Sequence, residues 1–196
     1  MASPVYADLV RPARPAVARV FDGALVAGFS LVIALGAQIA IPLPFTPVPV
    51  TLQTLAVLLA GCTLGKGRGA LAVIVYIVEG CAGLPVFSGG TGGIVHLLGP
   101  TGGYLVGFVA AAYLVGLLAE TGLTVKWLGS VLTLLAGNLV VYIPGLIWLG
   151  FYVGYDHALA LGFFPFVIGD GLKLIVGWGI LTGAALVTAK ARTRRS

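Results

Sequence analysis

The residues with the clearest chemical potential are Asp170 and Lys173, set within FVIGDGLKLI (166–175), a run that is otherwise almost wholly apolar. Three residues apart on a helix, they are neighbours on one face. A carboxylate there would accept hydrogen bonds from N–H donors, and an ammonium would donate to a carbonyl or carboxylate. Two readings compete: the charges neutralise each other inside a bundle, or they hold a ligand. A buried pair adds little net stability by itself, which favours the ligand. Asn138 and Tyr142, four residues apart, also share a helical face. Glu79, three residues after Tyr76, either meets solvent at an interface or lines a cavity.

Other chemistry is not visible. There is no nucleophile–base pair, HExxH motif or pair of carboxylates, so no catalytic residue is assigned and the chain is not expected to be an enzyme. His96 and His157 have no Cys or carboxylate at metal spacing, so they read as ordinary polar residues and no metal or cofactor is expected. The run GCTLGKG (61–67) is like a P-loop but has one residue too few between its glycines, and Gly67 stands where Ser or Thr is needed.

The elements that must position these residues follow from composition. Of 196 residues 59% are apolar and only 9% charged, and the mean hydropathy is +1.10. A soluble domain carries about 25% charged residues. The apolar runs, such as LAVLLAG (55–61) and ALAVIVYIV (70–78), are continuous rather than alternating. They predict membrane helices, not the strands of a barrel. The net charge of +5 is spread over several clusters, which gives no nucleic-acid patch. The Pro- and Arg-rich start of the chain, without an early apolar core, reads as a cytoplasmic tail over 1–20 and not as a cleavable signal.

Basic residues set the topology. Arg11, Arg14 and Arg19 precede the first apolar run; Lys66 and Arg68, then Lys126, then Lys190, Arg192, Arg194 and Arg195 follow. Each interval holds two spans of about 20 residues and a turn. The turns around 42–50, 84–101 and 154–158 contain no Lys or Arg. The positive-inside rule then gives an all-α bundle of six transmembrane helices over 21–189, with both termini cytoplasmic and a basic tail over 190–196. Lys173 is the one basic residue off the cytoplasmic side. Cys62 and Cys81 fall near opposite faces, which excludes a disulfide between them.

Along the chain, helix 1 is predicted over 21–41, with Ser30 and Ala34, and Gly36 and Ala40, at the four-residue spacing that lets helices approach closely. That face serves internal packing or a partner. IPLPFTPVPVTLQT follows; Pro42, Pro44, Pro47 and Pro49 forbid a helix. This apolar loop is either a rigid connector or a cover over the bundle mouth, with Phe45, Thr51 and Gln53 facing inward. Helices 2 and 3 are predicted over 51–64 and 69–83, joined by GKGRG. The segment 83–107 is broken at Gly89–Gly93 and again at Gly99–Gly103. Non-helical backbone at such depth must be buried or line a cavity, so Phe87, Ser88, Gly89 and Gly90 either contact a ligand or simply make a turn. Helices 4, 5 and 6 are predicted over 104–120, 127–150 and 163–189. Pro144 and Pro165 are candidate kinks, and Trp148, Phe151, Tyr152 and Tyr155 form an aromatic belt at the outer interface. Asp170, Lys173, the glycine-rich segment and the proline loop thus share the outer side, where they suggest a pocket for a small, partly apolar molecule.

IPLPFTPVPVTLQT, GLPVFSGGTGGIVHLLGPTGGYL and GDGLK together resemble the BioY family, the biotin-binding S components of energy-coupling factor transporters, over about 22–188. The resemblance implies a six-helix S-component fold in a prokaryotic plasma membrane. It implies capture of biotin from outside, and work with a transmembrane T protein and two cytoplasmic ATPases. It assigns Asp170 and Lys173 to the ureido ring and the proline loop to a lid. It gives the small-residue face of helix 1 (Ser30, Ala34, Gly36, Ala40) to the T protein. Some family members carry Asn where this chain has Ser88–Gly90. A different vitamin, or a self-sufficient transporter or channel, is the alternative.

Overall fold

A computed structural model describes the backbone of residues 5–193 and the side chains as far as Ala185. The basic cluster Lys190, Arg192, Arg194 and Arg195, and with it the tail expected over 190–196, lies outside the described side chains. The chain is mostly helical, in the order α1 (Tyr6–Leu9), α2 (Pro15–Gln38), α3 (Gln53–Leu64), α4 (Lys66–Cys81), α5 (Ile94–Leu97), α6 (Gly102–Glu120), α7 (Trp127–Val153), α8 (Tyr155–Gly162) and α9 (Val167–Thr193). Among the described residues, four stretches are long and apolar enough to cross a membrane: Pro15–Gln38, Gly102–Glu120, Trp127–Val153 and Tyr155–Ala185; Gln53–Leu64 is a shorter apolar helix.

Several boundaries differ from the sequence reading, each for a local reason. α2 begins at Pro15 rather than Phe21, because proline's fixed φ and missing N–H suit the first helical turn. GKGRG is not a loop. Gly65 alone, at φ +84, reverses the chain between α3 and α4, and Lys66 to Gly69 are already helical. α4 can fold back so tightly because Gly69 lies against Gly61; a Cβ there would stand 2.7 Å from the Gly61 Cα. The turn expected at 154–158 is mostly helix α8. Pro165 bends no helix, since it sits in a 3-10 turn, Phe164–Phe166, ahead of α9. Pro144, by contrast, lies inside α7.

The expected N-terminal tail is docked in part. Val5 and Ala7 are buried, and the Tyr6 hydroxyl donates to the Leu181 carbonyl at 3.0 Å. Arg68 pairs with Asp8 at 2.5 Å and with Asp22 at 2.9 Å. Asp22 also takes Arg11 at 2.6 Å, and Lys66 pairs with Glu120 at 3.3 Å. Basic residues from separate parts of the chain therefore gather at one end of the bundle.

The small-residue face of α2 is not open to a partner. Ser30 is fully buried, and Ala34 and Gly36 are buried with it. A Cβ on Gly36 would come within 3.3 Å of the Gln53 backbone. Ala40 is half-buried in a two-residue strand, β1 (Ala40–Ile41). This face is an internal contact with α3 and α4, which corrects its assignment to a T protein. The open side of α2 carries Leu31, Leu35 and the small Ala24, Ala27 and Gly28.

β1 pairs antiparallel with β2 (Val50–Thr51) in the register Ala40↔Thr51 and Ile41↔Val50. This short ladder closes the proline loop into a strap. The Thr46 hydroxyl fastens the strap to the end of α8 by donating to the Leu161 carbonyl at 2.8 Å.

Candidate functional site

α9 presents Asp170 and Lys173 to the bundle interior, 5% and 8% exposed. Lys173 Nζ donates to Asp170 Oδ1 at 2.9 Å and to Thr54 Oγ1 at 3.0 Å. Asp170 Oδ2 accepts from Asn138 Nδ2 at 2.9 Å and from the Tyr142 hydroxyl. The four-residue spacing of Asn138 and Tyr142 thus aims both at one carboxylate oxygen across the α7–α9 contact. Tyr142 is held in turn by edge-on rings of Tyr104 and Phe163. Both oxygens of the carboxylate are thus hydrogen-bonded, as a buried polar group requires.

Above the pair lies a cavity of about 610 Å³ of space free of protein atoms, its mouth included. Asp170, Lys173, Thr54 and Gln53 form one polar wall, while Tyr104, Leu105, Phe108, Val141 and Phe166 are largely apolar. Val48 and Pro49 of the strap line it too. A second, outer cavity lies between the strap and the segment 88–101; Pro49, Ser88, His96 and Thr101 line both.

The glycine-rich segment is built around Phe87, which is fully buried and seated against Gly80; a Cβ there would fall 2.1 Å from the ring. Phe87 stacks on His96 at 4.7 Å and meets Tyr76 edge-on at 5.6 Å. The turn Gly89–Gly90, with φ of +74 and +67, is pinned by Gln38, whose Oε1 accepts from Gly90 N at 3.0 Å and whose Nε2 donates to the Phe87 carbonyl at 3.1 Å. Trp148 and Tyr152, read as an interfacial belt, also donate to the carbonyls of Gly99 and Leu98 and tie α7 to this segment.

The sequence-derived candidates therefore divide. Asp170, Lys173, Gln53, Tyr142 and Ser88 line the inner cavity, and Asn138 supports it through Asp170. Phe87 lies behind the lining, as a support for His96. Gly89 and Gly90 shape the turn and do not line the cavity. Phe45 points outward, 59% exposed, because its alternation within the strap opposes Thr46 and Val48, which face in. Glu79 is turned to α2, where its Oε1 accepts from Ser30 at 3.2 Å; it lines neither cavity. Residues not picked from sequence are Thr54, Tyr76, His96, Thr101 and Tyr104. Their signal is a hydroxyl or ring nitrogen within an apolar run, as Tyr76 has in AVIVYIV.

His96 is more than an ordinary polar residue. Nδ1 lies 3.1 Å from Thr91 Oγ1, and Thr91 Oγ1 lies 3.0 Å from the Ser88 carbonyl, an arrangement that suits the tautomer with its proton on Nδ1. Nε2 faces Thr101 Oγ1 at 3.4 Å. Burial draws His96 below its ordinary value of 6.5. Below that value the unfolded chain binds the proton before the folded chain does, so stability falls as pH falls towards the lowered folded value. Thermal melts between about pH 7.5 and 5.5 should show this loss, and it should shrink in His96→Gln.

Three comparisons bear on this arrangement. The BioY family model matches residues 11–190. The chain is 43% identical over 149 residues to a probable biotin transporter BioY of Pyrococcus horikoshii, covering 76% of this chain and 86% of that protein. It is 45% identical over 149 residues to the biotin transporter BioY of Thermotoga maritima, with the same coverage. It is 36% identical over 182 residues to the biotin transporter BioY2 of Lactococcus lactis subsp. cremoris, covering 90% and 96%. Among solved structures, the crystal structure of the S-component for biotin from an ECF-type ABC transporter superposes with a TM-score of 0.74 at 30% identity, over 91% of this chain and 93% of that one. The matched stretch takes in the strap, the glycine-rich segment, and Asp170 and Lys173 with the helices that hold them, and by that match the chain belongs to the BioY family.

Proposed function

We propose that the chain is the biotin-binding membrane subunit of an importer, capturing biotin from outside and passing it inward with a transmembrane T protein and two cytoplasmic ATPases. It is a transport component and not an enzyme. The observation that carries this reading is the Asp170–Lys173 pair at the polar wall of a largely apolar cavity. Asp170 would accept from the ureido ring and Lys173 would donate to its carbonyl, with the apolar ring and side chain of biotin against Phe108, Val141 and Phe166. Ser88, Gln53, Asn138 and Tyr142 complete or support that wall. The relatives named as biotin transporters and the S-component for biotin support the same ligand.

The proposed topology has six crossings, α2, α3, α4, α6, α7 and α9, in a prokaryotic plasma membrane, with both termini cytoplasmic. The gathering of Arg11, Lys66 and Arg68 at one end supports this, as the positive-inside rule would put that end in the cytoplasm. The strap and the segment 84–101 would then face outward.

Uptake of labelled biotin by cells that express the chain with and without a T protein and its ATPases tests the assembly. Accumulation should need the full set, while binding at the membrane should need this chain alone. Binding that itself requires the ATPases would overturn the division of labour.

A further inference from the structure

Gln53 and Tyr76 stand out among the polar groups of the inner cavity. Tyr76 is fully buried and Gln53 is 5% exposed, yet among the described residues neither the Tyr76 hydroxyl nor Gln53 Nε2 has a hydrogen-bond partner. Both line the cavity, as do Asp170 and Lys173. Gln53 also precedes Thr54, which holds Lys173. Buried polar groups in folded proteins are almost always paired. Two unpaired polar groups lining the same cavity as an ion pair leave hydrogen bonds for a bound molecule to make.

Counting lone pairs and protons shows what that molecule lacks elsewhere. A carboxylate offers about four acceptor positions. On Asp170, Oδ2 already takes Asn138 and Tyr142, and Oδ1 takes Lys173. One position, on Oδ1, remains. An ammonium has three protons; Lys173 gives one to Asp170 and one to Thr54, which leaves one. The pair can thus serve a single N–H and a single carbonyl lone pair. A cyclic urea carries two N–H donors and a carbonyl with two lone pairs, so half of its hydrogen bonds would go unmade at Asp170 and Lys173 alone.

We propose that Gln53 and Tyr76 form the second half of the ureido-recognition site. The Tyr76 oxygen accepts the second N–H, and Gln53 Nε2 donates to the second lone pair of the carbonyl. This rests on the biotin reading given above and deepens it: the site reads a cyclic urea on both edges, and Asp170 sees only one of them. The free protein carries the two groups unpaired, which raises the free energy of the empty site and favours its filling.

Tyr76→Phe and Gln53→Leu keep the shape of each side chain and remove the polar atoms. Each is expected to weaken biotin binding by about tenfold, the scale of a lost buried hydrogen bond. Because the empty protein loses only an unpaired polar group, its melting temperature should stay level or rise. A purely structural role predicts the reverse, a lower melting temperature in the absence of biotin. A third arm needs no fragile variant: biotin monomethylated at either ureido nitrogen should bind the unaltered protein more weakly, and Tyr76→Phe should narrow that difference for one of the two isomers. Unchanged affinity in both variants, or lost affinity with a fall in ligand-free stability, would overturn the assignment while leaving biotin as the ligand. No biotin binding by the unaltered protein would overturn the ligand as well, and the ureido site with it.

Discussion

Asp170→Ala should abolish biotin capture and destabilise the protein by about 3–5 kcal/mol, the cost of leaving a buried charge without its partner. Lys173 would then sit among Thr54 and apolar neighbours with one neutral hydrogen bond, and Asn138 and Tyr142 would lose their shared acceptor. Lys173→Met should be milder for stability, since Asp170 keeps both of those donors. The double change Asp170→Asn with Lys173→Met removes both charges, and replacing a buried pair by neutral groups of similar volume is often close to neutral. It should therefore recover most of the stability but none of the binding. Thermal melts and biotin titrations of the four proteins separate the two quantities. If Asp170→Ala melted like the unaltered protein, the pair would not be the buried, mutually dependent unit described here.

The next largest effect is expected at the α6–α7 contact. A Cβ on Gly103 would lie 2.4 Å from the Pro144 carbonyl oxygen and 2.3 Å from Trp148 Cβ. One turn on, a Cβ on Gly107 would lie 2.7 Å from the Val141 carbonyl oxygen. These obstacles are mostly backbone, so a methyl group can be accommodated only if the helices separate. Overpacking of this kind costs about 1–3 kcal/mol and sometimes more. Gly103→Val should reach or exceed the top of that range. Binding should fall with it, because α6 and α7 carry Tyr104, Phe108, Val141 and Tyr142 into the cavity wall. Gly179→Ala, with nothing within 4 Å, is the control and should leave both unchanged. Melting temperature and biotin affinity measured on the same preparations check the prediction; a Gly103→Val protein that melts normally would contradict the packing argument.

Much of the site could be read from short-range spacing. Helical geometry alone puts Asp170 with Lys173, and Asn138 with Tyr142, on one face each, and the structure brings all four together. The proline strap and glycine-rich segment lie over and beside the cavity, because irregular backbone among membrane helices must be covered by protein. What could not be read was the rotation of each helix about its own axis. In a soluble bundle the apolar stripe marks the inward face. Among membrane helices lipid and core are equally apolar, so the pattern does not tell inside from outside. Hence the small face of α2 reads equally as a packing face or a partner face, and only the structure shows Ser30, Ala34 and Gly36 buried. For the same reason spacing alone does not tell that Glu79 turns to Ser30 while Tyr76, three residues before it, lines the cavity. Phe45 fails for a different reason: proline-rich backbone has no helical period from which to infer which side chains point in.

The most direct measurement is calorimetric titration of the purified chain with biotin, with riboflavin run in parallel. Biotin should bind tightly and stoichiometrically, that binding should be lost in the Asp170→Asn, Lys173→Met double variant, and riboflavin should not bind. Failure of the unaltered protein to bind biotin, or equal binding by the double variant, would contradict the assignment.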